Sequence, residues 1–533
     1  MIKVNLHNTF SKIVDGYVPQ EALDFFTIRY KTKRRRRGQP HPEDVEKQIR
    51  LYSSYNQTFP SGLIYQFDTY LKDHFETGLI IKDCRRIASH CHIIKSHFEF
   101  ELFPYQKGAF QAAIKCGRGI IVCPTGSGKT LIAQQIVQHL GQKTLFLVHT
   151  LDLLDQAYKS FSKCFPDESI GVIGNKKFNP QFITIATVQT LWRRFKNPAV
   201  ENYLKTINVL IADEVHHVSM ALSKAKGSEQ PREKYPGNSL YSVMQATDAY
   251  YRIGLSAKIA RQQRLRRWFL EATIGRPIYT TTYNQLRDDK VLADGMVFIV
   301  KTPLIKSRPK SYFTAYNKGV QLNAWVHNFA SDIAIALSKK GKSVIMMVDR
   351  LTRSEVVNYN QVKTRSGRLK NVPVYGTVEG HAGILHKVLE QKAPGKSVLL
   401  TGKVNSKQRA TAIDDLRSKR VKIAVGTLLK EGVDIPTLDA ILFLCGGRAE
   451  VDSSDASDST KAIQAVGRAL RNPNGKENQK QAVHIDIYYD DGGGMLSRHS
   501  RERIEAYEEH GYSVKIVKSK ELLRELYDWF KIK

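Results

Sequence analysis

Three shortages in this chain each remove a class of protein. Cysteine is sparse: only six (Cys84, Cys91, Cys116, Cys123, Cys164 and Cys445) are spread over 533 residues. That scatter predicts reduced thiols in a cytosol-like compartment and excludes a disulfide framework. One local group, Cys84, His90, Cys91, His92 and His97, has the residue types of a zinc site. It holds no C-x-x-C pair, and neighbours such as His90, Cys91 and His92 cannot easily face one ion, so no zinc is expected. Long apolar runs are missing as well. None approaches the roughly 18 to 20 residues that a membrane-spanning helix needs. The opening Met1-Ile2-Lys3-Val4-Asn5-Leu6-His7 lacks the charged-then-apolar plan of a signal peptide, so a soluble cytoplasmic chain is expected.

Acid is the third shortage. Asp and Glu total 51 against 82 Lys and Arg, a formal net charge of +31, and the sequence pI is near 9.7. Such an excess attracts polyanions, of which nucleic acid is the commonest large one, with an anionic membrane surface as the competitor. The remaining composition, 42% hydrophobic and 25% charged, is ordinary for a globular chain. The length is too great for one core and predicts about three or four domains.

Pattern separates four zones. Residues 1–95 mix short apolar runs with the tract Arg34-Arg35-Arg36-Arg37 and the turn signals Phe59-Pro60-Ser61-Gly62. Residues 96–285 alternate β-rich runs (Ile120–Cys123, Thr144–Val148, Phe182–Ala186, Val209–Ala212, Arg252–Leu255) with helical stretches. Between the first two runs, Leu131–Leu140 carries Ile132, Ile136 and Leu140 at helical spacing. The rhythm returns in residues 286–490 with Ser343–Val348, Ser397–Leu400, Ile423–Val425, Ala440–Leu444 and Ala482–Ile487, and residues 491–533 are left as a tail. Strand then helix, repeated, predicts an α/β chain with two tandem parallel-sheet lobes and a small α+β N-terminal domain. Two polar insertions, residues 221–239 and 359–373, read as loops, the second basic enough to meet a phosphate backbone.

The sharpest local signal is Pro124-Thr125-Gly126-Ser127-Gly128-Lys129-Thr130, set between a strand and a helix. Glycines let the backbone curl so that N–H groups face phosphate oxygens at a helix N-terminus. Lys129 would meet the β/γ-phosphates, and the Thr130 hydroxyl would ligate Mg²⁺. Cys123 stands where the strict phosphate-loop pattern has its first glycine. Downstream, Val209–Ala212 runs into Asp213-Glu214-Val215-His216. Two adjacent carboxylates after four apolar residues are costly unless a cation offsets them. Asp213 is the candidate for holding Mg²⁺, and Glu214 for activating water. Together these residues predict a site that binds ATP with Mg²⁺ and hydrolyses it.

Asp213-Glu214-Val215-His216 also resembles the D-E-x-H box of superfamily 2 helicases, and six further elements follow that family's order. Phe103-Pro104-Tyr105-Gln106 resembles its adenine-reading element, which implies that Gln106 recognises the base. Thr187-Val188-Gln189-Thr190 is similar to a nucleic-acid-contacting motif, implicating Thr187 and Gln189. Gly254-Leu255-Ser256-Ala257-Lys258 resembles the coupling motif, with Lys258 in place of the usual threonine. In the second lobe, Val425-Gly426-Thr427 and Glu431-Gly432-Val433-Asp434-Ile435-Pro436 resemble motif V, which implies nucleic-acid contact by Thr427 and nucleotide contact by Gly432 and Asp434. Gln464-Ala465-Val466-Gly467-Arg468-Ala469-Leu470-Arg471 is similar to motif VI, which implies catalytic roles for Gln464, Arg468 and Arg471. Spacing of three would set the two arginines on one helix face toward a common anion.

The first zone narrows the resemblance. Ile49-Arg50-Leu51-Tyr52 followed by Phe59-Pro60-Ser61-Gly62-Leu63 is similar to the N-terminal domain of UvsW-type branch-migration helicases of bacteriophages. That implies branched DNA as partner (forks, Holliday junctions, displacement loops) in recombination, repair or replication restart. Arg34, Arg35, Arg36 and Arg37 would contact it through phosphates, which carry affinity without reading bases. An RNA helicase or a restriction-type DNA translocase would share the same core. A non-catalytic nucleic-acid-binding scaffold is a different class, and intact Lys129, Asp213, Glu214 and Arg468 speak against it.

Overall fold

Alternating apolar runs and amphipathic stretches assemble into two parallel sheets in the computed structural model. It describes residues 1–34, 43–88, 91–98, 101–215, 239–257, 264–306, 311–349, 352–363, 369–400, 406–426, 435, 437–447, 458–473 and 477–532. The chain divides into two units, Met1–Pro124 with Gly128–Thr281, and Thr125–Ser127 with Thr282–Lys533.

The first unit begins with β1 (Ile2–Leu6), β2 (Phe10–Asp15), β3 (Thr27–Arg34), β4 (Glu43–Arg50), β5 (Thr58–Pro60) and β6 (Leu79–Asp83). Strands order as β5-β2-β1-β6, with β1 and β6 parallel, while β3 and β4 form a separate antiparallel hairpin from Thr27↔Arg50 to Arg34↔Glu43. Arg34 therefore ends a strand, and Arg35, Arg36 and Arg37 lie outside the described residues.

Next come β7 (Arg118–Val122), β8 (Thr144–Val148), β9 (Ile170–Gly174), β10 (Lys177–Asn179), β11 (Ile183–Thr187), β12 (Val209–Ala212), β13 (Tyr251–Ser256) and β14 (Pro277–Thr280). They order as β10-β9-β11-β8-β12-β13-β7-β14, parallel except for the β9–β10 pair. Successive residues of one strand enter different cores. Ile121, Phe146 and Ile211 pack with Ile132 and Ile136 of helix Lys129–Leu140, whereas Ile120, Leu145 and Leu210 pack with Leu191, Leu204 and Val243. Helices thus cover both faces, which is why these strands read as unbroken apolar runs instead of alternating ones.

The second unit holds β15 (Asp294–Lys301), β16 (Val344–Met347), β17 (Thr352–Lys363), β18 (Leu369–Glu379), β19 (Ser397–Leu400), β20 (Ile423–Gly426), β21 (Ala440–Phe443), β22 (Gln481–Tyr488) and β23 (Ser513–Val517). Its sheet orders as β19-β20-β16-β21-β22-β15-β23, with parallel neighbours throughout. The strand β23 comes from residues 491–533, so that segment supplies an edge of the sheet. Leu522, Leu526 and Phe530 of the last helix join the same core as Val344 and Ile485.

One expected loop is in part a pair of strands. Residues 359–363 and 369–373 fall on β17 and β18, which pair antiparallel from Thr352↔Glu379 to Lys363↔Leu369, and residues 364–368 lie outside the described residues. Ladder bonds run through backbone N–H and C=O groups, so polar side chains do not prevent pairing. Of the other expected loop, 221–239, only Ser239 lies among the described residues, where it opens a helix (Ser239–Gln245). Among the described residues, no helix is long and apolar enough to cross a membrane.

Candidate nucleotide site

The site in the first unit gathers at the carboxyl ends of three adjacent strands, β12, β13 and β7. The chain leaves β7 through Cys123 and Pro124, and Gly126 and Gly128 take φ of 88° and 75°. Side chains rarely adopt that left-handed region, and glycine enters it without a Cβ penalty. Gly128 is then the N-cap of helix Lys129–Leu140. The Cys123 N–H donates to the Ser256 carbonyl (2.9 Å), tying the loop's root to the end of β13. Burial pushes the Cys123 thiol up to about 12, so it is a neutral, structural group beside the loop.

Lys129 projects from the first helical turn into a buried position. Its Nζ donates to the Cys123 carbonyl (3.4 Å) and stands 3.5 Å from Glu214 Oε1. Glu214 lies just past β12 with φ of 48°, and its N–H donates to Asp213 Oδ1 (3.0 Å). The Asp213 N–H in turn donates to the Leu147 carbonyl (2.9 Å) at the end of β8. Two carboxylates and one ammonium thus share one corner, with Thr130 half-buried in the same first turn. The two left-handed glycines at a helix N-terminus and the lysine–carboxylate corner fit a nucleoside triphosphate carrying Mg²⁺. Lys129 and the loop N–H groups would hold phosphates, and Thr130 and Asp213 the metal, which supplies charge neutralisation when bound.

Other expected residues fall as follows. Gln106 is buried, and its Oε1 accepts from the Phe103 N–H (3.0 Å), capping helix Pro104–Cys116. Its Nε2 lies beside Gly128, close enough to crowd any Cβ there. Thr187 is buried at the end of β11 and donates to Thr190 Oγ1 (2.7 Å), whereas Gln189 is exposed on the helix that follows. Gln464 and Arg468 lie on helix Asp458–Ala469. Arg471 does not share that helix. The helix ends at Ala469, Arg471 pairs as an isolated bridge with Leu292, and the Leu470 carbonyl accepts from the Ala293 N–H (2.8 Å). Pro473 two residues later disfavours further helical turns, so the one-face reading of the two arginines is replaced by helix and bridge. Thr427, Gly432, Asp434, His216 and Lys258 lie outside the described residues.

A buried cluster in the second unit escaped the sequence reading. Arg503 makes two bonds to Asp486 (2.8 and 2.9 Å), and Tyr507 donates to the same carboxylate (2.8 Å). Arg503 Nη1 also donates to the Gly447 carbonyl (2.6 Å). The available signal was one acid inside the apolar run Ala482–Ile487, which needs a buried partner.

Comparison with known proteins follows the same two halves. Residues 99–261 match the family described as Type III restriction enzyme, res subunit, and residues 374–473 match the Helicase conserved C-terminal domain. Both halves are thus similar to superfamily 2 helicases. The chain is 35% identical over 160 residues to the DNA 3'-5' translocase XPB2 of Sulfurisphaera tokodaii, covering 30% of this chain and 31% of that one. It spans 31% and 50% of the first two curated relatives it matches. Among solved structures, Saccharomyces cerevisiae Dbp5 bound to RNA and ADP BeF3 shares the helicase fold, with TM-score 0.50, 15% identity and coverage of 80% and 93%. The structure of T4 UvsW aligns over 97% of this chain and 99% of its own, at 17% identity and TM-score 0.38.

Proposed function

We propose that this chain is an ATP-dependent helicase or translocase whose substrate is branched DNA. Residues 96–285 would form the ATP-binding lobe, 286–490 the second helicase lobe with 491–533 behind it, and 1–95 an accessory DNA-binding module. The approach of Lys129 Nζ to Glu214 Oε1 carries the reading, because it joins the phosphate loop to the acid that would activate water. The chemistry is then assigned residue by residue. The loop N–H groups and Lys129 bind and orient the phosphates, Asp213 fixes the cation's side of the site, and Glu214 accepts a proton from water. Arg468 and Arg471 would stabilise charge on the transferred phosphoryl, as the motif VI resemblance implies.

Nucleic acid follows from the +31 charge, and DNA from the resemblance of the first zone to UvsW-type helicases. The basic tract Arg34-Arg35-Arg36-Arg37 is the candidate contact with a branch, and Thr187, Gln189 and Thr427 are further candidates. The deciding experiment compares ATPase stimulation and strand separation on forks, four-way junctions and RNA duplexes. Greater activity on junctions and forks is expected. Preference for RNA duplex would replace this reading by an RNA helicase, and stimulation by plain duplex without strand separation by a restriction-type translocase.

A further inference from the structure

Two arginines outside the nucleotide site are buried in the first unit. Arg118 opens β7 and Arg252 is the second residue of β13, at 8% and 0% exposure. No ion pair to either occurs among the described residues, and two guanidiniums this deep are costly without partners. Carbonyls and hydroxyls surround them instead, and these come from both sides of one boundary. Arg252 Nη2 donates to the carbonyls of Met244 and Thr247 (both 2.8 Å) and reaches Thr9 Oγ1 (3.4 Å). Arg118 donates to the carbonyls of Thr273 (2.9 Å), Ile274 (3.1 Å) and Asn8 (3.4 Å). The turn Asn8–Thr9 answers in kind: Asn8 Nδ2 donates to the Asp248 carbonyl (2.7 Å), and Thr9 Oγ1 to the Thr247 carbonyl (3.0 Å).

Apolar packing crosses the same boundary. Phe26, Phe59, Phe67 and Leu71 of the N-terminal module share one core with Tyr241, Phe269 and Ala272 of the lobe. A Cβ at Gly62 would collide with the carbonyl oxygens of Glu271 and Ala272, so the two backbones touch there. Both arginines also lie at the starting ends of strands that finish at the nucleotide site: β7 leads to the phosphate loop, and β13 ends at Ser256, whose carbonyl holds the Cys123 N–H. A strand of five or six residues is a stiff rod of roughly 17–20 Å.

We propose that Arg118 and Arg252 are positioning residues that clasp the N-terminal module to the ATP-binding sheet, making the β3–β4 hairpin a fixed arm of that lobe. Every movement of the lobe then carries the hairpin, and load on the hairpin reaches the strands that hold the phosphate loop. The mechanical claim concerns the first unit alone, whereas its use in catalysis rests on the reading that the hairpin meets nucleic acid.

Two measurements on the full-length chain test it. First, a protease site inserted after the exposed Ile87 lets the connection between module and lobe be cut. The cut fragments are expected to co-elute and to unfold with the lobe in one calorimetric transition, and release of the N-terminal fragment on sizing overturns the clasp. Second, Asn8→Ala with Thr9→Val removes the module's side-chain hydrogen bonds to the lobe, including the one from Arg252, while both arginines and the Asn8 carbonyl that accepts from Arg118 stay in place. Basal ATPase should stay within about twofold and junction affinity within about threefold, while junction stimulation falls on the order of fivefold, the scale of one or two net hydrogen bonds. Restoring the hydroxyl with Thr9→Ser should recover most of the stimulation. Full stimulation in the double variant overturns the coupling role. If wild-type ATPase fails to respond to any nucleic acid, the proposed function falls, and co-elution decides the clasp without it.

Discussion

Lys129 Nζ stands 3.5 Å from Glu214 Oε1, although 85 residues separate the two in sequence (214 − 129). The pair fixes the electrostatics of the corner: an ammonium at 9% exposure faces a carboxylate at 14%, so neither is left as an isolated buried charge. Replacing one partner thus affects the other.

Lys129→Ala should abolish ATP hydrolysis, because the phosphates lose their cation. Glu214→Gln should keep nucleotide binding and stop turnover, since the amide cannot accept the proton from water. Steady-state hydrolysis and binding of a fluorescent nucleotide analogue separate the two. Normal hydrolysis by either variant means the active site has been misplaced.

Arg468→Ala should lower turnover by about 10³- to 10⁵-fold, the contribution typical of an arginine finger, with nucleotide and DNA binding retained. ATPase rates with and without forked DNA provide the readout. Turnover within about tenfold of wild type would exclude Arg468 from stabilising the transferred phosphoryl.

With the proposed phosphate contacts dominating, affinity for DNA should fall steeply with salt and depend little on base sequence. Alanine at Arg34, Arg35, Arg36 and Arg37 should reduce the salt slope and weaken junctions more than plain duplex. A competition titration in which junction preference persists would remove this tract from substrate recognition.

Acid should unfold the second unit early. Burial pushes His327 and His484 down to about 4 and His381 to about 3, from an ordinary value of 6.5. Each folded-state value is depressed, so the unfolded chain takes up protons that the folded chain refuses. Stability is full above about 6.5 and declines as pH falls from there towards 4. His381→Phe should flatten that decline in denaturant titrations at pH 7 and pH 5, and an unaltered pH dependence would count against a neutral buried imidazole.

Asp486→Asn should destabilise the second unit by about 3–5 kcal/mol, because it strands the Arg503 guanidinium in a fully buried position. Asp486→Leu with Arg503→Met should recover much of that loss. Equal unfolding midpoints for Asp486→Asn and wild type would contradict the pairing.

How much of this was readable depended on the range of the interaction. The phosphate loop was legible because its signal is local: two glycines at left-handed φ and a lysine in the first helical turn act within seven residues. The strands were legible because burial on both faces makes them near-continuous apolar runs, as at Ile120–Cys123 and Val209–Ala212. Their parallel order follows from the strand–helix alternation. Residues 359–363 and 369–373 were misread because their polarity says nothing about a backbone ladder formed with a second strand. Arg471 was placed on a helix by spacing alone, whereas its bridge to Leu292, 179 residues earlier (471 − 292), takes it off that helix. Arg118, Arg252 and Arg503 gave the same kind of difficulty. Arg252 beside apolar strand residues announces that it needs acceptors, and Arg503 in a charged helix announces nothing, but only the folded chain supplies Asn8, Thr9 and Thr273 on one side and Asp486 on the other. Sequence by itself therefore determined the glycine-rich turn before Lys129, the pair of carboxylates at the end of β12 and the α/β architecture, since backbone sterics and apolar periodicity act over a few residues. Tertiary structure alone decided which distant groups meet, because a buried charge is satisfied by whichever carbonyls or carboxylates the packing of the sheets brings within hydrogen-bond reach.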